Sequence, residues 1–139
     1  MQKELMGINT LQLITFPLYD VKSSFLVVFE GGINIPFQVQ RLFIVKSQEK
    51  SKRGYHAHKE CSQLLIALNG ECLITCDDGN ERKEFLLNKP SEGLLIPPTI
   101  WAEQDYSFDA ILLVLTDKFY NENDYMRDYN DFLTFRGVI

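Results

Sequence analysis

Gln63-Leu64-Leu65-Ile66-Ala67-Leu68-Asn69-Gly70-Glu71-Cys72-Leu73-Ile74-Thr75-Cys76-Asp77-Asp78-Gly79-Asn80 sets two short apolar runs in series, each closed by a turn signal. Runs of this length, bounded by Asn, Asp and Gly, read as strands. Asn69-Gly70 predicts a tight hairpin because both residues tolerate positive φ, and Asp77-Asp78-Gly79-Asn80 predicts a second. Working outward, further β-rich runs occupy 10–16, 25–30, 37–45, 82–87, 93–96 and 110–116. Pro90 and Pro97-Pro98 interrupt pairing and belong at strand ends or in loops. So many short strands with spaced turns predict an all-β sandwich or jelly-roll barrel, not alternating strand–helix units. Only the tail differs. Asn121 or Asn123 is placed to cap a short C-terminal helix beginning at Asp124, on which Tyr125, Tyr129, Phe132 and Leu133 share one face. That face reads as packing on the barrel, with a ligand contact from one tyrosine as the alternative.

The 139 residues fit a single domain spanning 1–139, with 45% hydrophobic and 24% charged residues, an ordinary globular balance. A net charge of −5 argues against a broad grip on nucleic acid. It leaves room for a local basic patch: Lys46, Lys50, Lys52, Arg53 and Lys59 crowd one stretch that holds a single acid, Glu49. That stretch reads equally as a solvated loop or as a phosphate-facing one. No secretory signal or membrane-length apolar run is evident, so a cytoplasmic protein with reduced Cys61, Cys72 and Cys76 is expected. Cys72, Ile74 and Cys76 share one strand face, where cysteine acts as a small hydrophobe; a zinc site built from Cys72, Cys76 and the histidines is the less favoured reading.

The chain's two histidines are His56 and His58, and in extended backbone residues two apart face the same way. Two adjacent imidazoles with unperturbed pKa values near ~6.5 can exchange protons at neutral pH. An HxH pair in a β-barrel resembles the first cupin metal motif, but the carboxylate position holds Gln63. The second motif aligns with Pro97-Pro98-Thr99-Ile100-Trp101-Ala102, where the ligand histidine has become Ala102. Two of the four expected ligands are missing, so neither metal nor other cofactor is expected. What is left suits metal-free proton transfer beside a carbonyl, with hydrogen-bond donors holding the enolate oxygen.

Arg53-Gly54-Tyr55-His56-Ala57-His58-Lys59, Leu64–Leu68 with Asn69-Gly70, Asp77-Asp78-Gly79, Ile100-Trp101-Ala102-Glu103 and the tail Phe119–Tyr129 together resemble the WxcM-like sugar 3,4-ketoisomerases of the RmlC-like cupin superfamily. The likeness covers roughly residues 26–132. It implies a cupin jelly-roll barrel with a short C-terminal helix, acting on a dTDP-linked 4-oxo-6-deoxy-D-glucose to give a 3-oxo sugar for amino-sugar and lipopolysaccharide synthesis. It further implies a cytoplasmic homodimer that exchanges N-terminal strands. His56 and His58 correspond to the catalytic pair, with His56 assigned as carbon base, His58 as helper for the oxygen protons, and the reverse division left open. Arg41 and Arg53 match arginines suited to diphosphate or sugar oxygens, with an ion pair as the structural alternative for Arg41. Gln63 is a candidate sugar donor or simple wall polarity, while Trp101, Ala102 and Glu103 are candidates for the mouth, with packing as the commoner role of a large aromatic such as Trp101. Ala102 stands where relatives carry His or Arg, which helps set the C4 configuration; a second such residue falls near Ser23. The galacto product is the expectation. The rivals are a nucleotide-sugar 3,5-epimerase, which needs a tyrosine acid and an Asp-supported histidine, a non-catalytic sugar-binding cupin module, and a metal-dependent cupin oxygenase.

Overall fold

Side-chain alternation sorts the strands into two packed layers in the computed structural model, which describes residues 4–139. The strands are β1 (Gln12–Thr15), β2 (Leu18–Val21), β3 (Ser24–Val27), β4 (Arg41–Lys46), β5 (Ser51–His58), β6 (Gln63–Asn69), β7 (Cys72–Asp77), β8 (Arg82–Leu87), β9 (Glu92–Ile96), β10 (Trp101–Tyr106), β11 (Ile111–Thr116) and β12 (Tyr125–Met126). Helix α1 (Tyr129–Phe135) follows. One antiparallel sheet runs β1-β9-β6-β11-β4, the other β12-β5-β10-β7-β8, and β2-β3 form a separate hairpin. This is the predicted jelly-roll class.

Between the sheets, Leu65, Ala67, Leu94, Ile96, Leu112 and Val114 meet Cys72, Ile74, Cys76, Ala102 and Tyr106. All three cysteines are free and buried, and burial pushes the Cys72 and Cys76 thiols up to about 12, so they serve as small hydrophobes. Gln63–Ala67 is buried without interruption. The reason is cover on both faces: Leu64 and Ile66 turn outward from the barrel under Phe16, Ile35, Val27, Phe29 and Phe37 of the N-terminal arm.

Two local readings change. Asp77–Asn80 does make the β7–β8 hairpin, with Asp78 Oδ1 accepting from the Asn80 and Glu81 N–H groups at 2.9 and 2.8 Å. Asn69-Gly70 does not make a hairpin: β6 pairs with β9 and β11, β7 with β8 and β10, and the turn carries the chain from one sheet to the other. Gly70 has φ 67°, and a Cβ there would lie 2.8 Å from Ser107 Oγ and 2.9 Å from Ala110 Cα. The glycine therefore serves a close crossing against the β10–β11 turn. The helix also moves. It begins at Tyr129, with the Asp128 side chain accepting from Asp131 N–H, while Asn121 caps only the single 3-10 turn Glu122–Asp124. Tyr129, Phe132 and Leu133 pack against Trp101, as the apolar face predicted, but Tyr125 belongs to β12 and pairs with His58. Among the described residues no helix is long and apolar enough to cross a membrane.

Candidate active site

A glycine-dependent irregularity in β5 builds the site. The β5–β10 register sets Ala102 opposite His56 but Glu103 opposite Gly54, leaving Tyr55 as an extra residue. Gly54 and Tyr55 take φ 86° and 56°, and a Cβ on Gly54 would come 3.0 Å from the Ala102 carbonyl oxygen. Such a bulge shifts strand parity. Arg53 and His56, three apart, would face opposite ways in a regular strand; here both reach one cavity.

That cavity, of about 260 Å³, is lined by Arg41, Arg53, His56, Gln63, Gln104, Tyr120, Tyr125 and Arg127 with an apolar floor of Phe43, Val45 and Val114. It is just under the roughly 300–1,000 Å³ of pockets that enclose whole drug-sized ligands, so it suits one end of a larger molecule. Arg41, Arg53 and Arg127 give it three guanidinium groups, with the Arg41 guanidinium stacked 4.5 Å over Phe43 and 5.1 Å over Tyr120. Arg127 donates to both carboxylate oxygens of Glu122, at 2.6 and 3.0 Å, and lies 4.2 Å over the Tyr125 ring. Those contacts, with the Tyr120 hydroxyl donating to Glu122, hold Glu122 down at about 2.

The two imidazole rings lie 5.1 Å apart, nearly perpendicular. Tyr125 covers both, at 5.2 Å from His56 and 4.3 Å from His58. His58 Nδ1–H donates to Asp124 Oδ2 at 2.9 Å, and the other carboxylate oxygen accepts from Glu60 N–H at 2.7 Å. Lys59 N–H donates to the Asp124 carbonyl at 2.9 Å, so the aspartate is held from three directions. Among the described residues, His58 Nε2 is buried without a partner, which leaves its lone pair unspent. Burial lowers both histidine pKa values: His56 falls to about 4, helped by the neighbouring His58, and His58 falls despite the opposing pull of Asp124. Both rings are neutral at pH 7, and a neutral, Asp-oriented imidazole is a competent proton acceptor.

Of the residues singled out in the sequence, Arg41, Arg53, His56 and Gln63 line the cavity, and His58 sits beside His56. Ala102 faces the barrel interior, buried among the core side chains and one residue pair along from Gln104. Trp101 and Glu103, expected at the mouth, lie instead on the outer face of β10. Trp101 is covered by Tyr129 and Phe132, and its indole N–H donates to Glu103 Oε2 at 2.9 Å. Single-residue alternation places both of them opposite to Ala102. Lys46, Lys50, Lys52 and Lys59 are absent from the lining, and Ser23 lies in the exposed β2–β3 hairpin turn. Sequence reasoning did not single out Gln104, Tyr120, Asp124 or Arg127 for the site, and it offered Tyr125 only as one of the tail tyrosines able to touch a ligand. The arrival of the tail residues here depends on β12 pairing with β5.

Comparison with known proteins accords with this geometry. A family model described as FdtA: WxcM-like, C-terminal matches residues 9–137. A TDP-4-oxo-6-deoxy-alpha-D-glucose-3,4-oxoisomerase from Aneurinibacillus thermoaerophilus is 41% identical over 109 residues, 77% of this chain and 78% of the relative. A 3,4-ketoisomerase from Helicobacter canadensis superposes with TM-score 0.88 at 37% identity, covering 92% of this chain and 98% of that one. A histidine-to-asparagine variant of the 3,4-ketoisomerase QdtA from Thermoanaerobacterium thermosaccharolyticum, in complex with TDP-4-keto-6-deoxyglucose, superposes with TM-score 0.85 at 37% identity, covering 93% and 94%. With a family match across almost its whole length and relatives this similar, the chain belongs to the FdtA family of WxcM-like, cupin-like proteins.

Proposed function

We propose that the protein is an isomerase that converts a TDP-linked 4-oxo-6-deoxyhexose to its 3-oxo isomer by metal-free proton transfer. The observation that carries this reading is the pair of neutral imidazoles, one oriented by Asp124, beside an arginine-lined cavity sized for a sugar. One histidine removes the C3 proton and leaves an enediolate. The C4 oxygen gains a proton, the C3 hydroxyl loses one, and a proton returned to C4 completes the 3-oxo product. Atoms balance with no redox partner. Arg41, Arg53 and Arg127 suit the diphosphate and sugar oxygens, and Gln63 and Gln104 offer amide hydrogens to the developing enolate.

The roles of the histidines fit best in the reverse of the order assigned from sequence. His58 is the better carbon base, because Asp124 fixes its Nδ1–H tautomer and stabilises the imidazolium that forms. His56, held down to about 4, serves the oxygen protons. Chain turnover is tested by NMR of TDP-4-keto-6-deoxyglucose in D2O with wild type, His56→Asn and His58→Asn. Deuterium entering at C4 and a loss of at least 100-fold in one variant are expected; full turnover in both variants sinks the assignment. Coupling constants of the transaminated product report the configuration at C4, for which the galacto product is the expectation.

A 3,5-epimerase is the second reading, since it asks for the Asp-supported histidine and adjacent tyrosine that His58, Asp124 and Tyr125 supply. Solvent exchange at C5 would mark it. We also propose a strand-exchanged homodimer operating in the cytoplasm. Leu18, Tyr19, Val21, Phe25 and Leu26 of the β2–β3 hairpin are exposed, as are Leu42 and Ile44, apolar side chains that a subunit interface would cover.

A further inference from the structure

Beside His58 and Asp124 lies a cysteine that the isomerisation does not use. Cys61, in the turn between β5 and β6, is buried, and its thiol makes a weak contact to the Ser62 carbonyl at 3.4 Å and also meets Asp117 and the Lys118 backbone. Its Sγ, the His58 Nδ1 and an Asp124 carboxylate oxygen all lie within 4.8 Å of one another. Asp117 also faces the thiol, and its Oδ1 is held by Ser62 N–H at 2.8 Å. Nitrogen, sulfur and oxygen donors at such spacing need shifts of only about 1 Å to meet the ~2.0–2.3 Å bonds of tetrahedral zinc.

We propose that His58, Cys61 and Asp124 form an inhibitory site for a borderline transition-metal dication, zinc(II) above all, with Asp117 or water as fourth ligand. This site shares only His58 with the cupin metal motif, whose acidic ligand and third histidine are replaced here by Gln63 and Ala102. The surroundings suit a cation. Burial and the carboxylates of Asp117 and Asp124 push the Cys61 thiol up to about 12, and a dication relieves that crowding of negative charge while displacing the thiol proton. One proton is released, from Cys61. The proton on His58 Nδ1 moves to Nε2 as the metal takes the Nδ1 lone pair. The ring then has a donor where the lone pair was, so it can no longer accept a proton from carbon.

Metal binding stands by itself; inhibition rests on His58 being the base, so the two are read separately. Cobalt(II) is titrated into the reduced full-length protein and thiolate-to-cobalt charge-transfer absorption is recorded. The band is expected in wild type and in Cys72→Ser, and lost in Cys61→Ser. Zinc is expected to inhibit turnover, reversibly by chelator, at concentrations at least 10-fold lower for wild type than for Cys61→Ser, whose metal-free turnover matches wild type. Should Cys61→Ser fail to fold, zinc-edge X-ray absorption of wild type with one equivalent of zinc decides. One sulfur at ~2.3 Å with nitrogen and oxygen neighbours is expected. A sulfur-free shell, or a cobalt band that survives loss of Cys61, overturns the site; sulfur-bound zinc that leaves turnover unchanged overturns its inhibitory action.

Discussion

Replacing Asp124 by asparagine should switch off His58 without disturbing the strands around it. The geometry dictates which way the new amide sits. Glu60 N–H donates at 2.7 Å to one carboxylate oxygen, and only the amide oxygen can replace that acceptor. The NH2 group then faces His58 Nδ1, where the carboxylate accepted at 2.9 Å. Two donors cannot share the contact, so the ring must carry its proton on Nε2 and present no lone pair to substrate. The loss should be that of a general base, about 10²–10⁴-fold, or roughly 3–5 kcal/mol of transition-state stabilisation. An Asp→Asn change that imposes the wrong tautomer in a serine-protease triad lowers kcat by about 10⁴. The assay is initial-rate conversion of TDP-4-keto-6-deoxyglucose followed by NMR, with kcat and KM separated. The deficit should fall on kcat, since Asp124 does not line the cavity. Turnover within threefold of wild type, from a folded variant, refutes the reasoning.

Two further outcomes follow from the same structure. His56 is held at about 4 against 6.5 when unfolded, so between those values the unfolded chain binds the extra proton and stability falls as pH falls. Denaturant titrations should show the full contribution above about pH 6.5 and a loss of roughly 3 kcal/mol on approach to pH 4; stability that is flat or rises over that window contradicts a buried neutral ring. Gly54→Ala places a Cβ 3.0 Å from the Ala102 carbonyl at φ 86°, and should cost about 1–3 kcal/mol in chemical denaturation while lowering turnover, because the bulge that brings Arg53 and His56 to one face is strained. An alanine variant with wild-type stability and rate shows that the bulge does not need its glycine.

Local periodicity made part of this legible. The shared face of Cys72, Ile74 and Cys76, the β7–β8 hairpin and the histidine pair all depend on neighbours within a few residues. What depended on distant partners did not come through. Asn69-Gly70 has hairpin chemistry, yet the flanking runs each find buried partners elsewhere, so the same turn serves a crossing between sheets. The Tyr125–Leu133 spacing fits a helix, but Tyr125 is drawn into a strand against His58, and Asp128, a good N-cap three residues before Asp131, marks the true start. The parity change at Gly54-Tyr55 has a sequence signal in its glycine, though only the register reveals it. Asp124 lies 66 residues beyond the ring it orients, beyond the reach of any short pattern.

The pairing of Tyr125 and Met126 with β5 also orders events in time. During synthesis from the N-terminus, both histidines emerge long before Asp124, Tyr125 and Arg127, so a nascent chain can close much of its barrel while remaining chemically idle. Competence then arrives in a single late docking event.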